Sequence, residues 1–173
     1  MATTTYIPVE QYLRSSYEPD AEYVDGEVEE RTVGEVDHSK WQIALAVYFY
    51  MRHRDWNIQV LSEVRVQVSP SRFRVPDVAV VENSSALREG EQIIHTAPLA
   101  VFEILSPDDT LARTMVKLQD YESMGIPVIF VIDPKGAKYR YEHGSLELLQ
   151  QTKLDLPGGK CVVDFGEIEK LLQ

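Results

Sequence analysis

The stretch Phe73-Arg74-Val75-Pro76-Asp77-Val78-Ala79-Val80-Val81 decides the fold, read together with Leu99-Ala100-Val101-Phe102-Glu103-Ile104-Leu105. Both are short apolar runs of the kind that forms buried strands, and each carries one carboxylate. Ionised carboxylates among apolar neighbours are costly unless a cation or hydrogen bonds offset the lost hydration. Asp77 and Glu103 therefore call for a shared positive partner. A divalent metal is one such partner, and a lysine or arginine from elsewhere in the chain is the other. Pro76 offers no N–H and belongs at a strand start or irregularity, so Asp77 stands where its strand enters the core.

Working outward, residues 60–68 alternate valine or serine with polar or larger residues and read as one half-exposed strand. Ser69-Pro70-Ser71 turns that strand into its neighbour over 73–81. On the other side, Ser106-Pro107-Asp108-Asp109 stops the strand over 99–105, and Ser106 or Thr110 caps a helix over 111–124 that Gly125 and Pro127 end. Arg113, Lys117 and Tyr121 recur at every fourth position and share one helix face. Residues 127–132 form a further strand closed by Asp133-Pro134. Residues 99–132 thus read as strand, helix and parallel strand joined by a right-handed crossover.

The remaining elements are smaller. A short amphipathic helix is predicted over 6–16, and the Asp25-Gly26 step marks a hairpin over 22–30 rich in acids. Ser39-Lys40-Trp41-Gln42 fits a capping box, with Ser39 as cap of a core helix running to about Arg52. His38, just ahead of that cap, reads as a capping or surface group. Residues 82–98 read as a surface loop with a helical turn around 86–89. Tyr139 and Tyr141, His143-Gly144, then Leu146 and Leu148 form a hairpin. A polar loop over 151–160, a short strand over 161–163 and a helical turn over 166–172 complete the chain.

At 173 residues, 44% hydrophobic and 26% charged, the expectation is a single soluble domain over 1–173 of the α/β class, mixed α+β in detail. One cysteine, Cys161, leaves no intrachain disulfide and no thiol metal site. No secretory leader or membrane-length apolar run is visible, so a cytoplasmic protein without membrane contact is expected. The net charge of −11 argues against a protein that coats nucleic acid non-specifically, and leaves room for a local basic patch beside an acidic metal site.

The set Pro76-Asp77 with Glu103-Ile104-Leu105 resembles the PD-(D/E)XK nuclease superfamily, and within it the Uma-type restriction-endonuclease-like family. The family resemblance extends over Glu22-Tyr23-Val24-Asp25-Gly26-Glu27, Arg74-Val75-Pro76-Asp77, Phe102-Glu103-Ile104-Leu105-Ser106-Pro107, Lys117 with Tyr121, Gly125-Ile126-Pro127 and Val131-Ile132-Asp133-Pro134. It covers roughly residues 8–150. The resemblance implies a restriction-endonuclease-like core, a central mixed β-sheet flanked by helices, with a metal site where strands fork. It implies Asp77 and Glu103 as ligands of Mg²⁺ or Mn²⁺ and Lys117 as a migrated motif lysine, since Leu105 fills that lysine's usual place. Glu22 or Glu27 would add a further acid. Two departures stand out: Ala112-Arg113 replaces an Asp-Arg pair, and Val128-Ile129-Phe130 replaces Glu-Tyr-Trp.

Three functional expectations follow. The first is a metal-dependent endonuclease acting on DNA, with Asp77, Glu103 and Lys117 catalytic, Arg74 and Arg113 meeting phosphates, and Tyr121 and His38 in support. A homodimer would suit cutting of both strands. The second is a nuclease-like binding or assembly module with little turnover, which the charge and Leu105 favour. The third is a buried ion-pair network of Asp77, Glu103 and Lys117 without chemistry. Arg74 also suits simple pairing with neighbouring acids.

Overall fold

A proline and a glutamate break what the sequence reads as two long strands. The computed structural model describes residues 6–18, 20–32, 34–83 and 90–173. Its first half contains α1 (Val9–Arg14), β1 (Ala21–Val24), β2 (Glu27–Glu30), α2 (Val36–Tyr50), α3 (His53–Trp56), β3 (Ile58–Ser62), β4 (Arg65–Ser69), β5 (Arg72–Arg74) and β6 (Val78–Glu82). There follow β7 (Ile93–Ile94), β8 (Ala100–Ile104), α4 (Leu111–Met124), β9 (Ile129–Ile132), β10 (Lys138–Glu142), β11 (Ser145–Leu148), β12 (Lys153–Asp155), β13 (Val162–Asp164) and α5 (Phe165–Lys170).

Residues 60–68 are not one strand. Glu63 adopts left-handed backbone with φ 52°, which ends β3 and re-aims the chain into β4. Residues 73–81 divide likewise into β5 and β6 around Val75-Pro76-Asp77. The two breaks lie opposite one another, because β3 pairs antiparallel with β6 and β4 with β5. The result is one long hairpin bent at its middle, with its halves in different sheets. A six-stranded sheet runs β11-β10-β9-β8-β6-β3, and a five-stranded sheet runs β2-β1-β5-β4-β7.

Within the larger sheet, β6 is antiparallel to β8 with Val78 opposite Phe102, so Asp77 arrives beside Glu103. The strands β8 and β9 are parallel and joined through α4, as the crossover pattern requires. Alternation then assigns the faces. Val78, Val80, Ala100, Phe102, Phe130 and Ile132 pack under α2 and α5, while Ala79, Val81, Val101, Ile129 and Val131 pack under α4. Rings stack through the first layer, Phe102 on Phe130 with centroids 5.1 Å apart. Each such buried ring stabilises the fold by roughly 1.5–3 kcal/mol.

Several expected boundaries shift. The first helix is confined to Val9–Arg14, led in by Pro8. The core helix starts at Val36 with Glu35 at its N-cap and makes no side-chain cap, so Ser39 and Gln42 lie inside it. The Gln42 side chain instead donates to the Asp77 carbonyl at 3.2 Å. Residues 82–98 and 151–160 include the short strands β7 and β12, the latter pairing with β13. The helical turn expected at 86–89 lies outside the described residues. The helix over 111–124 has the expected bounds, with Thr110 accepting the Arg113 N–H and Gly125 left-handed at φ 90°.

Candidate active site

The bend in the hairpin opens a fork between the two sheets, and α4 lies across it. Because Thr110 fixes the start of α4 and Leu118 and Tyr121 anchor it in the core, Lys117 projects into the fork. Its ammonium donates to Glu103 Oε2 at 2.8 Å, to Glu22 Oε1 at 2.8 Å and to the Val75 carbonyl at 3.1 Å. All three ammonium protons therefore have acceptors. One turn further along α4, the Tyr121 hydroxyl donates to Glu103 Oε1 at 2.6 Å.

Asp77 is held from three sides. Its Oδ2 accepts the Ile104 N–H at 2.7 Å and lies 3.3 Å from His38 Nε2, and its Oδ1 accepts from Arg31 Nη2 at 2.5 Å. Glu22 accepts the Val75 N–H at 2.9 Å and pairs with Arg74 Nη1 at 2.8 Å. The three carboxylates Glu22, Asp77 and Glu103 are all buried. They line a cleft of about 60 Å³ with Arg31, His38 and Lys117, and Arg113 stands at its rim.

The charges are unevenly matched. Burial pushes the Glu22 carboxyl up, but the charges of Lys117 and Arg74 outweigh it and hold the group below its ordinary value. Burial likewise raises Asp77, and the His38 hydrogen bond with the charges of Lys117 and Arg31 brings it below the usual carboxylate range. Glu103 differs. Burial dominates there, Lys117 offsets only part, and repulsion from Asp77 and Glu22 adds to the rise, so its carboxyl titrates at about 7. Burial lowers and the Asp77 hydrogen bond raises the His38 imidazole, with a net rise. Burial opposes the charge on Lys117, but Glu103 and Glu22 together raise its pKa.

The fork brings together Asp77, Glu103, Lys117, Tyr121 and Glu22 of the residues singled out in the sequence. His38 joins them as a buried group, and not as a cap, because α2 begins before it. Glu27 does not join, being exposed on β2. Arg74 is 1% exposed and donates to Glu22, Glu29 and Asp120, the last at 2.7 Å through Nε, so it is not placed to meet a phosphate. Arg113 is half exposed and donates to the Glu30 carbonyl at 2.7 Å. Two residues of this cluster carry no sequence signal. Asp120 holds Arg72 and Arg74, and Arg31 reaches Asp77 from the link between β2 and α2.

Among the described residues, no group of three or more His, Cys, Asp and Glu side chains is assembled around a metal position. The donor chemistry nevertheless fits a hard divalent cation. Asp77 and Glu103 offer carboxylate oxygens from adjacent strands, and Glu103 has less positive charge around it than its neighbours have.

A sequence model of the Uma2 family, described as "Putative restriction endonuclease", matches residues 9–154. No curated protein matches the chain. Among solved structures, a nuclease-like protein of the DUF820 group from Anabaena variabilis superposes with a TM-score of 0.82 at 20% identity, covering 96% of this chain and 99% of that one. The DrdV–DNA complex overlaps with a TM-score of 0.39 at 17% identity, over 76% of this chain and 11% of that one, too little to define a shared fold.

Proposed function

The chain belongs to the Uma2 family, whose fold is that of restriction-endonuclease-like nucleases, and on that premise we propose that it is a metal-dependent DNA endonuclease built as one domain over 1–173. Such families generally use divalent metals, and here Asp77 and Glu103 would bind Mg²⁺ or Mn²⁺. When bound, such an ion supplies Lewis-acid stabilisation of charge on the phosphoryl oxygens.

The observation that carries the proposal is the reach of Lys117. It leaves α4 one helix after Glu103 and arrives 2.8 Å from that carboxylate, across the fork from Asp77. There the ammonium, by giving up one of its three acceptors, would orient an attacking water and steady negative charge as the phosphodiester breaks. Tyr121 fixes the orientation of Glu103, and His38 that of Asp77. Glu22 and Arg74 fix Lys117 and the β5–β6 bend. Arg113, half exposed at the rim, would be the arginine that meets a phosphate.

Incubation with plasmid DNA and Mn²⁺ tests this. Nicking or linearisation by the wild type, lost in Asp77→Ala and Lys117→Ala, is the expected result. Equal cleavage by all three proteins would sink the assignment.

One observation favours a second reading, a nuclease-like binding module. Lys117 has all its protons engaged and Asp77 already holds Arg31. Calorimetry with Mn²⁺ separates the two, because a module without a metal site gives no heat at the Asp77–Glu103 pair.

A further inference from the structure

We infer that Arg31 is the protein's own counter-cation for Asp77, occupying the position that a divalent ion takes and leaving it when the ion binds. The inference rests on the reading of Asp77 and Glu103 as metal ligands.

The two oxygens of Asp77 are not equivalent. Oδ2 is engaged by the backbone N–H of Ile104 and faces His38, both carried on core elements. The Ile104 N–H cannot move without disturbing β8, and the His38 side chain is buried on α2. Oδ1 accepts from Arg31 alone among the described residues. It is therefore the oxygen that an incoming cation can take, and Arg31 is the group in its way.

Arg31 can leave where the other cations cannot. Lys117 is tied to two carboxylates and a carbonyl, and Arg74 to three carboxylates. Arg31 sits in the segment between β2 and α2, and its second anchor is a looser contact of 3.4 Å to half-exposed Glu63. Its side chain lines both the cleft and the wider opening beside Thr32 and Arg113. The route out that this inference requires is a change of rotamer into that opening, where Arg31 is already a lining residue.

Charge makes the exchange reasonable. Glu22, Asp77 and Glu103 face Lys117 and Arg31 in the cleft, with Arg74 shared outward to Asp120 and Glu29. Without metal, loss of Arg31 would leave a buried carboxylate poorly compensated, which is unfavourable. With a divalent ion in place the guanidinium becomes the surplus charge. Arg31 thus stabilises the empty site at the expense of metal affinity.

Titration calorimetry with Mn²⁺ on the full chain tests this, with thermal melting of the metal-free protein alongside. We expect Arg31→Gln to bind Mn²⁺ about tenfold or more tightly than the wild type and to melt lower without metal. Arg31→Lys, which keeps the charge but reaches less far, falls between them and serves where Arg31→Gln does not fold. Asp77→Asn should abolish binding in either background. Equal or weaker Mn²⁺ binding by the Arg31 variants, with binding still dependent on Asp77, overturns the role of Arg31 and leaves the metal site standing. No binding by wild type and variants alike, or binding that survives Asp77→Asn, overturns both.

Discussion

Lys117 donates to Glu22 and to Glu103 at the same distance of 2.8 Å, although the two carboxylates belong to different sheets. Glu22 has a second cation in Arg74, whereas the second partner of Glu103 is the neutral hydroxyl of Tyr121. One ammonium is thus divided between a well-compensated acid and a poorly compensated one.

The imbalance sets a pH dependence for the metal-free protein. The carboxyl of Glu103 rises from 4.5 to about 7 on folding, so between those values the folded state keeps a proton that the unfolded state has lost. Stability from this group therefore falls as pH rises across that window, by roughly 3 kcal/mol in all. His38 acts in the same direction, since its raised pKa favours folding below about 6.5 and the gain is lost at higher pH. Glu22 and Asp77, both lowered, lose their contribution only as pH falls below the ordinary carboxylate range. Glu103→Gln, which mimics the protonated acid, should gain stability relative to wild type between pH 5 and pH 8 in chemical denaturation. A difference that does not change with pH would contradict the assignment.

Tyr121→Phe should cost about 1–3 kcal/mol. The substitution preserves the packed ring but leaves Glu103 Oε1 buried without its donor. Urea denaturation reads this directly.

Gly34 lies against the ring of His38, and a Cβ there would fall 2.7 Å from Nδ1. Gly34→Ala should displace the imidazole from its present place beside Asp77, and loss of that hydrogen bond returns its pKa toward 6.5. Proton NMR titration of the His38 ring follows the shift, and an unchanged titration would exclude the coupling.

Two arginines should separate cleanly in stability. Arg74→Met leaves Glu22 and Asp120 buried with one cation fewer, at about 3–5 kcal/mol. Arg113→Ala removes a half-exposed side chain and should change stability by no more than about 0.5 kcal/mol. Equal losses would mean that Arg113 is part of the scaffold.

The catalytic candidates were legible because each sits on a strong local signal. Asp77 follows the proline that interrupts one apolar run, Glu103 interrupts another, and Lys117 shares the helix face of Tyr121 between a clear cap and Gly125. The break at Glu63 was not, because apolar alternation continues through it and glutamate carries no mark of left-handed backbone. The reading of His38 as a group ahead of a helix cap fails because Ser39 and Gln42 imitate a capping box inside a helix that begins at Val36. Arg31 was invisible for a different reason. It belongs to no periodic element, and its meeting with Asp77 depends on the path taken between β2 and α2. The strand β7, two residues long, has no period to detect.

The bent hairpin has a mechanical consequence. Its two halves diverge at Glu63 and at Val75–Asp77, and the gap between them is spanned by a lysine that grips one acid from each sheet. Through that lysine, the opening of the sheets is coupled to the charge state of the cleft. Neutralising Glu103 slackens the tie, and an added cation draws on the same oxygens that hold the sheets together. Whatever enters the cleft must work against the clasp that gives the cleft its shape.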